Sequence, residues 1–125
     1  MNKSYIHKLF FSAACFNVIV ALPSLLFVGL ASQILSLDLD SSAATLFYQI
    51  TMLIVALFGW VYFKIAGDPV QYRPFILLGI LAKSIFVVVI MWHWITGSIS
   101  WPLAALVSVD LVYAVLFFLV YRRTM

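Results

Sequence analysis

Lys83 and Asp110 are the residues of this sequence best suited to chemistry, because each interrupts a long apolar run. A charged side chain at the centre of a bilayer costs at least about 2.5 kcal/mol on insertion scales. Two opposite charges on neighbouring membrane-spanning helices would lower that cost by pairing. Intramembrane ionisable residues also mark ligand and ion pathways, so this expected pair is the first candidate for a functional site.

The composition indicates that the whole chain lies in a membrane. Of the 125 residues, 66% are hydrophobic and 9% are charged, whereas soluble domains carry about 25% charged residues. A chain of this length predicts a single domain, residues 1–125. Because one span takes about 20 residues, four spans fit and leave no room for a soluble catalytic domain. Cys15 is the only cysteine, so an internal disulfide is excluded.

We expect an all-α, integral membrane four-helix bundle with up-down-up-down topology. A short interfacial helix is predicted at 31–37, followed by a polar turn in which Asp40, Ser41 or Ser42 caps the next helix. Small residues recur in the first span at Ala13, Asn17 and Ala21, a pattern that favours close helix packing. The predicted spans are about 9–30, 43–64, 75–96 and 102–121.

The basic residues predict the orientation of the bundle. Of the seven Lys and Arg residues, all but Lys83 lie at span ends, and none lies in the connections near 31–42 or 97–101. Cytoplasmic loops carry an excess of Lys and Arg, so both termini and the middle loop should be cytoplasmic. The net charge of +3 is then a topology signal, and no nucleic-acid partner is expected. The six flanking residues are Lys3, Lys8, Lys64, Arg73, Arg122 and Arg123.

Depth along the helices predicts a polar cluster. With a rise of about 1.5 Å per residue, Lys83, Asp110, Asn17 and Tyr113 come out about 12–16 Å from the cytoplasmic helix ends. One interpretation is a structural ion pair that fixes helix contacts, with Asn17 and Tyr113 satisfying the remaining donors and acceptors. The other is a small polar chamber, open to the cytoplasmic leaflet, that binds the head of a lipophilic molecule or relays a proton.

Aromatic residues near the predicted helix ends indicate interfacial anchors, as in the aromatic belts of membrane proteins. The sequence Trp92-His93-Trp94 has the look of a haem or metal site. No second histidine falls inside another span, since His7 lies near the opposite surface, so we expect neither a metal nor a cofactor. The expected anchors are Trp60, Trp92, His93, Trp94 and Trp101.

The sequence contains several short motifs, namely Phe58-Gly59-Trp60, Gly67-Asp68-Pro69, residues 79–83, residues 110–114 and the terminal Arg122-Arg123. Together they resemble those of a group of small uncharacterised bacterial inner-membrane proteins with four spans, which are loosely similar to DoxX-like proteins. The resemblance covers nearly the whole chain and implies a multi-pass protein of the bacterial inner membrane. Ala82 and Val109 replace glycines that the resemblance leads one to expect. DoxX itself looks like a subunit of a quinone-linked sulfur oxidoreductase, but no redox motif is present, so only the architecture is transferred.

These observations leave several functions open. We expect a non-enzymatic membrane protein, either an accessory subunit or a binder of a lipophilic molecule, because no nucleophile–base pair or phosphate loop is present. The alternatives are a subunit of a quinone-linked oxidoreductase and a small proton-coupled exporter. The exporter would need a membrane-embedded acid to carry the proton, and the chain has no Glu. A lipid-directed enzyme using Asp110 and Tyr113 stays open. The bilayer is the expected partner, with a homo-oligomer or a larger membrane complex undecided.

Overall fold

The computed structural model describes residues 3–123, which form five helices and no strand. Four of the helices are long and apolar enough to cross a membrane, and they pack as a bundle. The predicted all-α, four-helix membrane fold is therefore confirmed. The helices are α1 (Lys3–Leu26), α2 (Val28–Ile34), α3 (Ser42–Gly67), α4 (Arg73–Ile95) and α5 (Trp101–Arg123).

The first span differs from its predicted bounds of 9–30. Helix α1 ends at Leu26, the chain bends at Phe27 (φ −126°, ψ 63°), and α2 begins at Val28 as a separate helix. The short helix expected at 31–37 is thus found at 28–34. Hydropathy does not reveal this break, because Phe27-Val28-Gly29-Leu30 is nearly as apolar as the span before it.

The turn before α3 has the expected cap. Ser41 is the N-cap residue, and its side-chain oxygen accepts a hydrogen bond of 3.0 Å from the backbone N–H of Ala44. This bond satisfies one of the free N–H groups of the first helical turn. At the other end, Gly67 is the last residue of α3 and Asp68 is its C-cap. The turn between α4 and α5 uses Gly97 at φ 82°, a conformation that glycine adopts without strain.

The spans form two antiparallel hairpins: α1 packs against α3 in the first, and α4 packs against α5 in the second. His7 on α1 shares a 3.0 Å hydrogen bond with the carbonyl of Ala66 at the end of α3. Arg73 at the start of α4 donates to the carbonyl of Tyr121 near the end of α5 (3.1 Å). Both ends of the described chain therefore lie at one end of the bundle, with the flanking Lys and Arg residues, and we call this the basic end. The side of the membrane that it faces stays a prediction.

An aromatic cluster joins the two hairpins near the basic end. The ring centroids of Phe10 on α1 and Phe117 on α5 are 4.5 Å apart, and Tyr62 on α3 lies 5.1 Å from Phe117. All three side chains are at most 1% exposed. Stacked and tilted aromatic pairs contribute roughly 0.5–1.5 kcal/mol each beyond area burial. The cluster therefore packs the two hairpins against each other at this end.

Small residues allow the helices to approach each other closely. The predicted stripe Ala13, Asn17 and Ala21 is buried. A Cβ on Gly59 of α3 would lie 3.3 Å from Asn17 Cβ. On α4, a Cβ at Gly79 would lie only 2.8 Å from Cε1 of Tyr62. These contacts set the spacing of the helices that carry the polar cluster.

Candidate functional site

Lys83 on α4 and Asp110 on α5 form an ion pair inside the bundle. The ammonium of Lys83 donates a hydrogen bond to Oδ1 of Asp110. The lysine side chain is 5% exposed and that of the aspartate 19%, so Lys83 does not extend to the membrane surface. The pairing joins the two helices of the second hairpin, and each charge compensates the other in a region without bulk water.

Asn17 extends this pair to the first hairpin. Its Oδ1 accepts a hydrogen bond of 3.4 Å from Lys83, and its Nδ2 donates to the carbonyl of Val55 at 3.0 Å. The bond to Val55 fixes the orientation of the amide, so that the oxygen faces the ammonium. Lys83, Asp110 and Asn17 therefore form one polar cluster that links α1, α3, α4 and α5.

Tyr113 lies beside the cluster but does not use its hydroxyl there. That hydroxyl donates to Oγ of Ser12 at 3.0 Å, and Ser12 donates in turn to the carbonyl of Leu9 at 2.8 Å. The ring of Tyr113 instead lies near the ammonium, with its centroid 5.5 Å from Lys83 Nζ. The expectation that Tyr113 would satisfy a hydrogen bond of the ion pair is replaced by a cation–π contact.

Two further rings surround the ammonium. The centroid of Tyr62 lies 5.3 Å from Lys83 Nζ and that of Phe16 lies 5.7 Å from it. Tyr62 falls near the end of its span, where aromatic residues favour an interfacial position. The structure buries it to 1% exposure between the hairpins. Sequence position gives the depth of a helical residue but not the direction that its side chain takes, so this member of the site was missed.

A cavity of about 330 Å³ lies between the two hairpins, with the polar cluster at its inner end. Its walls are mostly apolar, and its size is at the lower end of the roughly 300–1,000 Å³ of ligand pockets. Side chains from all four spans line it, among them Val20, Met52, Phe86 and Leu106. Apolar walls with a few convergent polar groups are the usual composition of a small-molecule site.

The cavity extends away from the basic end. Its outer part is lined by residues 37–39, Ala44 and Leu103, and we call that end of the bundle the loop end. The Phe10–Tyr62–Phe117 cluster lies in the opposite direction. The cavity therefore connects the polar cluster with the loop end. Whether the cavity opens to the cytoplasmic leaflet, as one interpretation of the sequence has it, depends on the orientation of the bundle, which stays a prediction.

Two aspartates lie at the loop end, outside the spans. Asp38 lines the cavity, and a side-chain hydrogen bond with Asp38, together with its nearby charge, raises the pKa of the exposed Asp40. No Lys or Arg occurs between residues 27 and 41 or between 96 and 100. The entrance of the cavity is therefore acidic, which disfavours the approach of anions.

The expected anchors are at the outside of the bundle. Trp60 is 60% exposed near the basic end, with Lys64 Nζ 5.5 Å from its ring. Trp92, His93, Trp94 and Trp101 are exposed at the loop end, on α4 and α5. Among residues 3–123, no group of three or more His, Cys, Asp or Glu residues is placed to hold a metal ion.

Comparisons with known proteins add no family to this description. No family model matches the chain, and no curated protein or solved structure is significantly similar to it. The resemblance to DoxX-like proteins thus stays a prediction from short motifs, and the coarser description, a small membrane protein with four candidate spans, is what the structure supports.

Proposed function

We propose that this chain is a non-enzymatic integral membrane protein that binds a lipophilic molecule in the cavity between its hairpins. The observation that carries the proposal is the apolar cavity of about 330 Å³ with the Lys83–Asp110–Asn17 cluster at its inner end. In this arrangement the walls take an apolar body, and the cluster orients a polar head. The protein would act as a carrier or as an accessory subunit, alone, as a homo-oligomer or within a larger membrane complex.

A purely structural role would explain the ion pair but not the cavity beside it. A buried pair compensates its own charges and can define which helices meet. It does not require open space beside it, and the bundle has small residues at Ala44 and Ala82 where larger side chains would reduce the cavity. A binding role accounts for both the pair and the space.

We place the protein in a bacterial inner membrane, with both termini cytoplasmic. Support comes from the six flanking basic residues, which the fold collects at one end of the bundle, and from the positive-inside rule. In this orientation the loop end and the entrance of the cavity face the periplasmic side. A ligand would then enter from the outer leaflet or from the periplasm.

The two alternative functions have weaker support. A subunit of a quinone-linked oxidoreductase would use the same cavity, and its support is the resemblance to DoxX-like proteins. A proton-coupled exporter would need Asp110 to gain and lose a proton. Protonation of Asp110 would leave the buried ammonium of Lys83 unpaired, and breaking such a pair costs about 3–5 kcal/mol.

Native mass spectrometry of the protein from mild detergent tests the proposal. We expect the wild type to retain a small lipophilic molecule and Ala44→Phe to lose most of it, because the new ring would occupy the outer part of the cavity. Ala43→Phe is the matched control, since the neighbouring Ala43 is exposed and does not line the cavity. Equal retention by wild type and Ala44→Phe, or none by the wild type, would overturn the proposal. A retained quinone would instead favour the oxidoreductase subunit.

A further inference from the structure

The hydroxyl of Tyr62 belongs to a buried side chain and has no hydrogen-bond partner among the residues that the structure describes. Within residues 3–123, no hydrogen bond joins this hydroxyl to another group. Every fully enclosed side-chain nitrogen or oxygen of that part of the chain does have a partner, so the Tyr62 hydroxyl faces open space. Because Tyr62 is only 1% exposed and lines the cavity, that space is the cavity.

The other hydroxyls of the cavity are already satisfied by the protein. Tyr48 donates to the carbonyl of Ser24 at 3.1 Å, and Thr51 donates to the carbonyl of Phe47 at 2.7 Å. Buried tyrosine hydroxyls usually have a hydrogen-bond partner. Tyr62 is therefore the exception among these hydroxyls, and a molecule bound in the cavity would supply its missing hydrogen-bond partner.

Asp110 supplies the complementary acceptor. Its Oδ1 is taken by Lys83, whereas within the described chain Oδ2 has no hydrogen-bond partner. Asp110 lines the cavity and keeps 19% of its side chain exposed. Both Tyr62 and Asp110 are close to Lys83 Nζ, which pairs with the carboxylate of Asp110 and lies 5.3 Å from the ring centroid of Tyr62. The inner end of the cavity thus offers one group that donates and one that accepts.

The charges around the cavity favour a neutral head. Lys83 and Asp110 cancel each other, so a ligand carrying a charge would bring an uncompensated ion into a low-dielectric site, which is costly. Asp38 at the entrance adds repulsion against an anion.

We propose that the occupant is a neutral amphiphile whose head both accepts and donates a hydrogen bond, as a hydroxyl group does. The head accepts from the Tyr62 hydroxyl and donates to Asp110 Oδ2, and the apolar tail lies along the cavity toward residues 37–39. This inference rests on the proposed function and specifies the class of its ligand.

The test compares probes with equal numbers of non-hydrogen atoms in nanodiscs of uncharged lipid. The probes are 1-decanol, methyl nonyl ether, undecane, nonanoate and decylammonium, and native mass spectrometry measures the bound fraction of each. We expect decanol to be retained best by the wild type. The ether can only accept, undecane can do neither, and the last two probes are charged.

Tyr62→Phe removes the hydroxyl and keeps the ring. We expect it to lower the retention of decanol relative to undecane about two- to tenfold, the effect of one net hydrogen bond, without lowering the melting temperature. Tyr48→Phe is the matched control because it also removes a hydroxyl that lines the cavity, but one bonded to Ser24. It should lower the melting temperature and leave the ratio of decanol to undecane unchanged.

The outcomes separate the two proposals. If a charged probe or undecane is retained as well as decanol, or if Tyr62→Phe leaves the ratio unchanged, this inference is overturned while a binding cavity remains. If the wild type retains no probe better than Ala44→Phe does, the proposed function itself is overturned, and the inference with it.

Discussion

At the scale of single residues, the central fact is that Lys83 and Asp110 are each tolerable only because the other is present. Their head groups are in contact, and Lys83 is 4% exposed. Removing one partner of a buried pair leaves an uncompensated charge, whereas replacing both with apolar residues of similar volume is often neutral. A double replacement therefore separates the contribution of the pair to folding from its contribution to binding.

We expect Lys83→Met and Asp110→Leu to destabilise the protein by about 3 kcal/mol each, and the double variant to regain most of that loss. Thermal unfolding in detergent, followed by tryptophan fluorescence, measures the effect. Lys64→Met is the control, because Lys64 is exposed at the end of α3, and it should leave unfolding unchanged. If the proposed binding role holds, the double variant keeps undecane but loses its preference for decanol. A double variant less stable than either single variant would contradict the pairing.

The members of the site differ in how far the sequence could predict them. Lys83 and Asp110 were predictable, since a charge in an apolar span needs a partner, and the rise per residue places both at similar depth. Asn17 followed from the same arithmetic. Tyr62 was not predictable, because depth says nothing about which way a side chain points. Trp60 and Tyr62 are close in sequence, yet one is 60% exposed and the other 1%.

At the scale of helices, the contact between α3 and α4 depends on Gly79. A Cβ there would lie 2.8 Å from Tyr62 Cε1 and 3.4 Å from the Tyr62 hydroxyl oxygen. Tyr62 cannot readily move aside, because Phe10, Phe58 and Phe117 pack around its ring. The glycine thus positions both the aromatic cluster and the hydroxyl assigned to the ligand.

Gly79→Ala should therefore destabilise the protein by about 1–3 kcal/mol, the usual cost of overpacking a well-filled core, and should weaken decanol retention as Tyr62 shifts. Gly29→Ala is the matched control. Nothing lies within 4 Å of a Cβ at Gly29, and alanine is preferred over glycine in a helix by roughly 0.5–1 kcal/mol. Thermal unfolding of the two variants checks the contrast. Equal stability of both would show that Tyr62 has room to move.

The presence and approximate positions of the four spans were predictable, but the residues at which the helices end were not. Long apolar runs identify spans because the bilayer fixes their length, and Ser41 was among the three caps expected. The break at Phe27 and the start of α2 at Val28 were not predictable from hydropathy, because the residues on both sides are apolar. The bend depends on tertiary contacts that a single sequence does not display.

At the scale of the whole molecule, the two hairpins are joined at one end and parted at the other. The Phe10–Tyr62–Phe117 cluster packs the hairpins together at the basic end, whereas the cavity reaches the loop end beside residues 37–39. The sequence predicted the polar cluster and, as one interpretation, a chamber open to the cytoplasmic leaflet. The cavity extends toward the loop end, and the side of the membrane that this end faces stays a prediction. The direction of the cavity depends on which aromatic side chains turn inward. Helical spacing places Phe117 on the face of Asp110, but it did not single out Phe10. The cavity therefore leads from the polar cluster toward the loop end, and its biological meaning depends on orientation.

The orientation can be measured with single cysteines in a Cys15→Ser background. We expect Asp40→Cys at the loop end to react with a membrane-impermeant maleimide in intact spheroplasts. Asp68→Cys, in the turn between α3 and α4, should react only after the membrane is permeabilised, because the flanking basic residues favour the cytoplasmic side. Both positions are outside the helices, so a difference in labelling reports sidedness, and labelling in detergent controls for intrinsic reactivity. The reverse pattern would place the entrance of the cavity on the cytoplasmic side and would overturn the proposed entry of a ligand from the outer leaflet or the periplasm.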